Sequence, residues 1–288
     1  MTPLDYDYLR KLLKDRSGLL LSADKQYLIE SRLLPLARRT GLPGIGELVQ
    51  KLRSGAEALA AEVVEAMTTN ETFFFRDKIP FEHVRDKVLP ELMRLRANRR
   101  SLRVWCAAAS TGQEPYSLAM ILKDAVLAGW RVEIVATDIA QGVLEKAKSG
   151  IYSQFEVQRG LPIQMLVQHF KQTGDVWQIN PDIRAMVQYR QTNLLQDFSH
   201  LGRFDIIFCR NVLIYFDQAT KIDIFNRLLR AHEPDGYLFL GAAETVVGLT
   251  DVYRPCPDLR GVYTPNPARQ PVPASGAAPV FAAAAAAR

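Results

Sequence analysis

Two acids, each at the end of an apolar run, carry the first chemical signal in this chain. The run LRVWCA (102–107) passes into AASTGQEPYSLAM, a small-residue turn that opens a helix, with Glu114 at the helix start. An acid there lies favourably against the helix dipole but would repel a pyrophosphate, and it suits a ligand with an ammonium group. The G-x-G-x-x-G fingerprint of dinucleotide binders is absent. Small residues at Ala107, Ala108, Ala109, Ser110 and Gly112 let the backbone approach a ligand closely. The run VEIVATD ends in Asp138, 26 residues beyond Gly112. An acid in that place can accept hydrogen bonds from both ribose hydroxyls of an adenosine cofactor, although Asp after a strand is also a common helix cap. Together Glu114 and Asp138 favour S-adenosylmethionine over NAD, with the ribose on one acid and the amino-acid ammonium near the other.

Two further segments add polar groups. MTTNETFFFRD (67–77) offers Asn70, Thr72 and Arg76 as a cap over a cofactor site, Arg76 being able to pair a carboxylate bidentately. Its three consecutive Phe cannot all face one side, so some reach a domain interface. FDIIFCRNVLIYFD (204–217) is an apolar strand that stops abruptly at Arg210-Asn211, followed by Tyr215. Polar residues at the carboxyl end of such a strand point into a ligand crevice.

The elements that must position these groups are legible in outline. Residues 1–66 show only helical periodicity, with Leu9, Leu12 and Leu13, then Leu28, Ile29, Leu33 and Leu36; Ser22 is a candidate helix start and Gly41-Leu-Pro-Gly a stop. Residues 67–101 read as a linker and a helix. From 102 to 264, LRVWCAA, VEIVATD, FDIIFCR and GYLFLGA alternate with helical patterns, which predicts an α/β domain with a mostly parallel sheet. Residues 151–191 interrupt that rhythm. There VWQIN and AMVQYRQ, joined by Pro181-Asp182, suggest a hairpin in an inserted β-subdomain. Residues 265–288 are Pro/Ala-rich, contain no acid, and are expected to be disordered.

In this order and spacing, TNETFFFRD, RVWCAAASTGQEPYSLAM, ATDI, TNLL, FDIIFCRNVLIYFD and PDGYLFLGAAE resemble the chemotaxis receptor methyltransferases of CheR type, over roughly residues 5–264. The resemblance implies a Rossmann-like S-adenosylmethionine-dependent methyltransferase sheet with an N-terminal all-α domain and an inserted β-subdomain. It implies methyl transfer to glutamate side chains on the cytoplasmic helices of chemoreceptors, yielding S-adenosylhomocysteine. It places Asn70, Thr72, Arg76, Glu114, Asp138, Asn193, Leu194, Arg210 and Asn211 in the cofactor site, and Tyr215 near the methyl-transfer centre. A glutamate carboxylate, with a reference pKa of about 4.3, is already an anion at neutral pH. No general base is then needed, and Tyr215 is expected to orient the substrate.

Composition sets the surroundings. With 48% hydrophobic and 23% charged residues in 288, the chain can bury a substantial core, which excludes wholesale disorder. Three dispersed Cys and four His argue against disulfides and against a metal site, and no apolar run approaches a membrane span. A soluble cytoplasmic protein is expected, monomeric and without membrane insertion. The net charge is +5 and the pI about 9.1. Residues 10–39 carry eight Lys/Arg against three acids, and residues 76–103 carry nine against four. This polarity favours an acidic partner, and the 10–39 face is expected to dock the glutamate-bearing receptor helices, Arg32 and Arg38 included. Two departures from the family pattern stand out. Ala107 and Ala108 replace the first glycines of many methyltransferases. The stretch KQTGDVWQINPDIR holds Gly174 alone where some members have a glycine-rich loop, so no strong binding of a C-terminal receptor pentapeptide is expected. The rival readings are a nucleic-acid methyltransferase, a catalytically silent S-adenosylmethionine sensor, and an NAD dehydrogenase. The first lacks the expected stacking aromatics and basic stripes, and the last lacks the glycine fingerprint.

Overall fold

A computed structural model describes residues 1–125 and 129–269. Four helices come first: α1 (Pro3–Ser17), α2 (Gln26–Arg39), α3 (Ile45–Arg53) and α4 (Glu57–Met67). Thr2 and Asp5 form a capping box at the head of α1, and Gly18, at φ 75°, ends it in the left-handed region. Ser22 is not the start of α2; its hydroxyl bonds the Asp24 carboxylate, and the helix begins four residues later without a side-chain cap. Leu9, Leu13, Ile29, Leu33, Leu48 and Val63 bury one face of each helix in a core separate from that of the sheet.

After a linker come α5 (Ile79–His83), a wide π-turn (Val84–Val88) and α6 (Leu89–Leu95), then β1 (Ser101–Cys106), α7 (Gln113–Ala125), β2 (Arg131–Asp138) and α8 (Gln141–Ser149). A small unit follows, made of β3 (Ile151–Ser153), α9 (Gln154–Gln158), α10 (Ile163–His169), β4 (Phe170–Thr173), β5 (Val176–Ile179) and α11 (Pro181–Arg184). The chain returns as β6 (Val187–Gln191), β7 (Phe204–Cys209), α12 (Gln218–Arg230), β8 (His232–Leu240), β9 (Tyr253–Pro255) and β10 (Val262–Pro265).

The large sheet has the order β6-β2-β1-β7-β8-β10-β9. Its first five strands are parallel, and β10 runs antiparallel to both β8 and β9. Side chains alternate between two buried faces: Val104, Cys106, Ile134, Ile206 and Phe208 on one, Trp105, Val135, Ile207 and Cys209 on the other. Burial on both sides is why these strands read as unbroken apolar runs. Because β2 and β7 flank β1 on opposite sides, the strand order reverses there and opens a crevice at the carboxyl ends of β1 and β7.

The expected hairpin in 151–191 does not form. VWQI (β5) pairs antiparallel with β3 and β4, while VQYRQ (β6) joins the large sheet parallel to β2. β6 is an edge strand, buried mainly at Val187, and its alternating pattern is that of an edge. Of the segment expected to be a disordered tail, Pro265 closes β10, and Arg269 in the 3-10 turn Pro267–Arg269 pairs with Asp251 at 2.6 Å. The remainder of that expectation, 270–288, lies outside the described residues.

A buried ion network ties the other end of the sheet. Asp205, fully buried at the start of β7, accepts from Arg96 Nε at 2.8 Å, from the Arg103 backbone N–H at 2.8 Å, and from Arg99. Arg96 also donates to Asp235 at 2.7 Å.

Candidate active site

A cavity of about 970 Å³, counting its open mouth, lies at the crevice and is lined by all ten residues singled out in the sequence. Asn70, Thr72 and Arg76 come from the linker; Glu114 starts α7; Asp138 ends β2; Asn193 and Leu194 follow β6; Arg210, Asn211 and Tyr215 follow β7. Sequence reasoning missed the contribution of the helical domain: Ser17 and Leu19 form part of the wall. Three contacts hold them there. Asn193 Nδ2 donates to the Arg16 carbonyl at 2.6 Å, the Leu20 N–H donates to the Tyr215 carbonyl at 3.0 Å, and Lys14 pairs with Asp217 at 2.9 Å. A Cβ on Gly18 would sit 2.6 Å from the Phe216 ring, so the chain crosses the cavity rim only as glycine. On the far side, Glu65 of α4 accepts from the Gln141 and Gly142 N–H groups and caps α8, which has no side-chain cap of its own.

The first βα turn differs from expectation at two of its five small residues. Ala107, Ala108 and Ser110 line the cavity, but Ala109 and Gly112 do not. Gly112 sits at φ 95°, and a Cβ there would meet the Tyr189 hydroxyl at 2.8 Å and Ala147 at 2.9 Å. The glycine is required by packing beneath the turn, not by a ligand above it. Ser110 and Asn211 also adopt positive φ (48° and 58°), as do Phe75, Asp77 and Lys78 (53°, 70° and 48°). Backbone strain of this kind gathers at binding sites. Of the three Phe, Phe74 and Phe75 are core, while Phe73 turns outward and lies under the Arg159 guanidinium at 4.3 Å, reaching the inserted unit.

The charges are arranged around Arg210, whose side chain is 1% exposed. Its Nη1 donates to Glu114 Oε2 at 2.7 Å, and its Nη2 to Asp77 Oδ2 at 2.6 Å and to the Arg76 carbonyl at 3.1 Å. Glu114 is therefore already ion-paired, which the sequence, with 96 residues between the partners, did not reveal. Burial nevertheless raises the Glu114 pKa above the usual carboxylate value, against the pull of Arg210. Asp138 accepts from the Ser110 N–H at 2.8 Å and the Ala140 N–H at 3.0 Å, and burial raises its pKa as well. It lines the cavity, as a ribose acceptor must, but its bond to Ala140 stops one residue short of α8, whose first N–H groups go to Glu65 instead. Arg76 donates to the Glu71 carbonyl at 2.7 Å and makes no salt bridge among the described residues. The cavity thus offers a buried carboxylate at Asp138, the carboxylate of the Glu114–Arg210 pair, and one cation, Arg76, with no acidic partner among the described residues. This suits a ligand that carries an ammonium, a carboxylate and a ribose. The lining contains no His, Cys or Lys, and burial raises the nearby Cys106 and Cys209 thiols well above their usual pKa. No group of three or more potential metal ligands occurs among the described residues.

A mixed sheet whose first five strands are parallel, an acid opening the helix after its first strand and an acid ending its second fit the Rossmann-like class of S-adenosylmethionine-dependent methyltransferases. Comparison with known sequences is more specific. Residues 4–68 match the CheR methyltransferase all-alpha domain, and residues 70–261 match the CheR methyltransferase SAM binding domain. The chain is 43% identical over 258 residues to chemotaxis protein methyltransferase 1 of Pseudomonas aeruginosa, covering 87% of this chain and 93% of that one. Identity to the chemotaxis protein methyltransferase Cher2 of Pseudomonas putida is also 43% over 258 residues, with coverage of 87% and 94%. With chemotaxis protein methyltransferase 1 of Vibrio cholerae it is 40% over 251 residues, covering 84% and 90%. The chain belongs to the CheR methyltransferase family.

Proposed function

We propose that this protein transfers the methyl group of S-adenosylmethionine to glutamate side-chain carboxylates of chemoreceptors, forming methyl esters in chemotactic adaptation, in the cytoplasm. The observation that carries the reading is the convergence of ten separately placed residues on one cavity at the sheet's reversal point, in a chain whose relatives are chemotaxis methyltransferases.

The cofactor, when bound, supplies an electrophilic methyl on a sulfonium. The chain's own residues do the rest. Asp138, with lone pairs beyond its two amide bonds, would accept from the ribose hydroxyls. Glu114, with Arg210 on Oε2, would hold the ammonium. Arg76 would pair the cofactor carboxylate, Asn70 and Thr72 would close the linker over it, and Asn193 and Leu194 would flank the adenosine. Catalysis is then alignment of an existing carboxylate nucleophile and removal of its water, which agrees with a lining that holds no His, Cys or Lys. Tyr215 orients the substrate. Tyr215→Phe is expected to lower kcat by about tenfold, within the range for one hydrogen-bonding group, while calorimetry shows unchanged S-adenosylhomocysteine affinity. A large loss of cofactor binding would remove that role.

The ion pairs of the helical domain support a narrower docking face. Arg16 pairs with Glu57, Arg39 with Glu62 and Lys14 with Asp217. Arg32 donates to the Met67 and Thr68 carbonyls at 2.6 and 2.9 Å and so holds the linker rather than a partner. Exposed Arg38 and Tyr27 on α2 are the better candidates for the receptor contact. Arg38→Glu should raise KM for a receptor fragment by about fivefold, the scale of one exposed charge pair, and flatten its salt dependence. An unchanged KM would place docking elsewhere. The β4–β5 hairpin turns tightly at Gly174-Asp175, which supports direct recognition of the receptor over strong pentapeptide tethering.

The test is transfer from labelled S-adenosylmethionine to a purified receptor signalling fragment. Base-labile label on the fragment is expected. Base-stable label on nucleic acid, or cofactor binding without transfer to any receptor of the host, would overturn the reading.

A further inference from the structure

Glu244 was part of the run PDGYLFLGAAE but carried no assigned chemistry. Its carboxylate is buried, at 9% residue exposure, in the loop after β8. Four backbone N–H groups converge on it: Asn211 at 2.8 Å and Gly241 at 2.7 Å on Oε2, Val212 at 2.9 Å and Leu213 at 2.7 Å on Oε1. Three of these donors are consecutive residues of the turn after β7. Such a run of N–H groups forms a concave anion nest, and here the anion is supplied by the protein itself. Gly241 permits the approach, since a Cβ there would lie 2.8 Å from Glu244 Oε2 and 2.9 Å from the Asn211 nitrogen.

We propose that Glu244 is a positioning residue for methyl transfer: by gripping the backbone of Asn211–Leu213, it sets where Asn211 and Tyr215 face the cavity. The grip begins one residue after Arg210 and ends two before Tyr215, so the turn that carries five of the lining residues is fixed at its centre by one carboxylate. The left-handed Asn211, at φ 58°, needs such support. Within the turn Tyr215 and Phe216 donate to Val212 and Leu213; at its ends Arg210 is held by Glu114, Asp77 and the Arg76 carbonyl, and the Tyr215 carbonyl accepts from Leu20 of the helical domain, so Glu244 supplies the side-chain grip on its middle. The acceptor count makes the requirement specific. A carboxylate presents two oxygens with about four lone-pair directions, and all four N–H groups use them. Glutamine has the same shape but only one acceptor oxygen, and its NH₂ would face two N–H donors.

The inference rests on the proposed methyl transfer and is tested beside it. Wild-type protein, Glu244→Gln and Glu244→Asp are each assayed with a receptor fragment, well below their thermal midpoints, with active sites counted by S-adenosylhomocysteine binding. Glu244→Gln is expected to lower kcat per binding site by about a hundredfold, the scale of a misplacement near 1 Å, with cofactor affinity within about tenfold of wild type. Glu244→Asp keeps the acceptors one methylene short and is expected to fall by about tenfold. A Gln or Asp variant that binds cofactor and turns over within threefold of wild type overturns the proposal. If both variants fail to fold, hydrogen exchange on the wild-type protein decides. Amides 211–213 exchanging only with global unfolding uphold the grip, and rapid exchange there overturns it. A wild-type protein that transfers no methyl to receptor refutes the functional reading instead.

Discussion

Asp138→Ala is expected to weaken S-adenosylhomocysteine binding by at least about a hundredfold while shifting the thermal midpoint of the free protein by only a few degrees. Two charge-assisted hydrogen bonds to ribose hydroxyls, at roughly 1.5–3 kcal/mol each, account for the loss of affinity. The free protein responds less because two effects oppose each other. Removing the carboxylate leaves the Ser110 and Ala140 N–H groups without acceptors, which costs about 1–3 kcal/mol each. It also relieves a buried charge. The folded-state pKa of Asp138 is raised by burial, so the ionised group destabilises the fold at neutral pH, a cost that disappears as pH falls through that raised pKa. Calorimetric titration and a melting curve measure the two quantities separately. A dissociation constant within threefold of wild type would show that the ribose is held by other groups.

Asp205→Ala should have the opposite signature. Removing a buried partner of two guanidiniums and a backbone N–H is expected to cost about 3–5 kcal/mol, or on the order of 10 °C in midpoint for a chain of this size. Arg96, itself buried, keeps only Asp235 and loses its link to β7. Asp205 is the second residue of β7 and Arg210 follows its other end, so cofactor affinity measured below the new midpoint should be unchanged. A loss of affinity at that temperature would show that the two ends of the strand are coupled.

What the sequence made legible follows from how each element is buried. β1, β2 and β7 are covered on both faces, so they appear as apolar runs, and the residues that end them stand out as the site. β6, by contrast, is a half-exposed edge whose VQYRQ alternation also fits a hairpin partner, and nothing local says which sheet it joins. The three- and four-residue strands β9 and β10 are too short to give a periodic signal. Arg210 and Glu114 stood out in the sequence singly, but their pairing and the Asp77 beside them did not, because the partners meet only through the fold. Arg32 misled for the same reason: a basic residue on a helix reads as surface charge until the linker carbonyls beside it are known. Asp205 did leave a trace, an acid inside the otherwise apolar FDIIFC.

The wall that Ser17 and Leu19 contribute also bears on recombining domains among relatives. A helical domain transplanted from another family member in order to change receptor preference brings its own residues to the seam. Five contacts span that seam: Lys14 with Asp217, the Arg16 carbonyl with Asn193, Gly18 with Phe216, the Leu20 N–H with the Tyr215 carbonyl, and Glu65 with the head of α8. A chimera joined within the linker, at residue 69, separates every one of these pairs. Swapping the exposed face of α2 alone leaves all of them in place, and is the smaller graft through which target choice and cofactor retention can be varied independently.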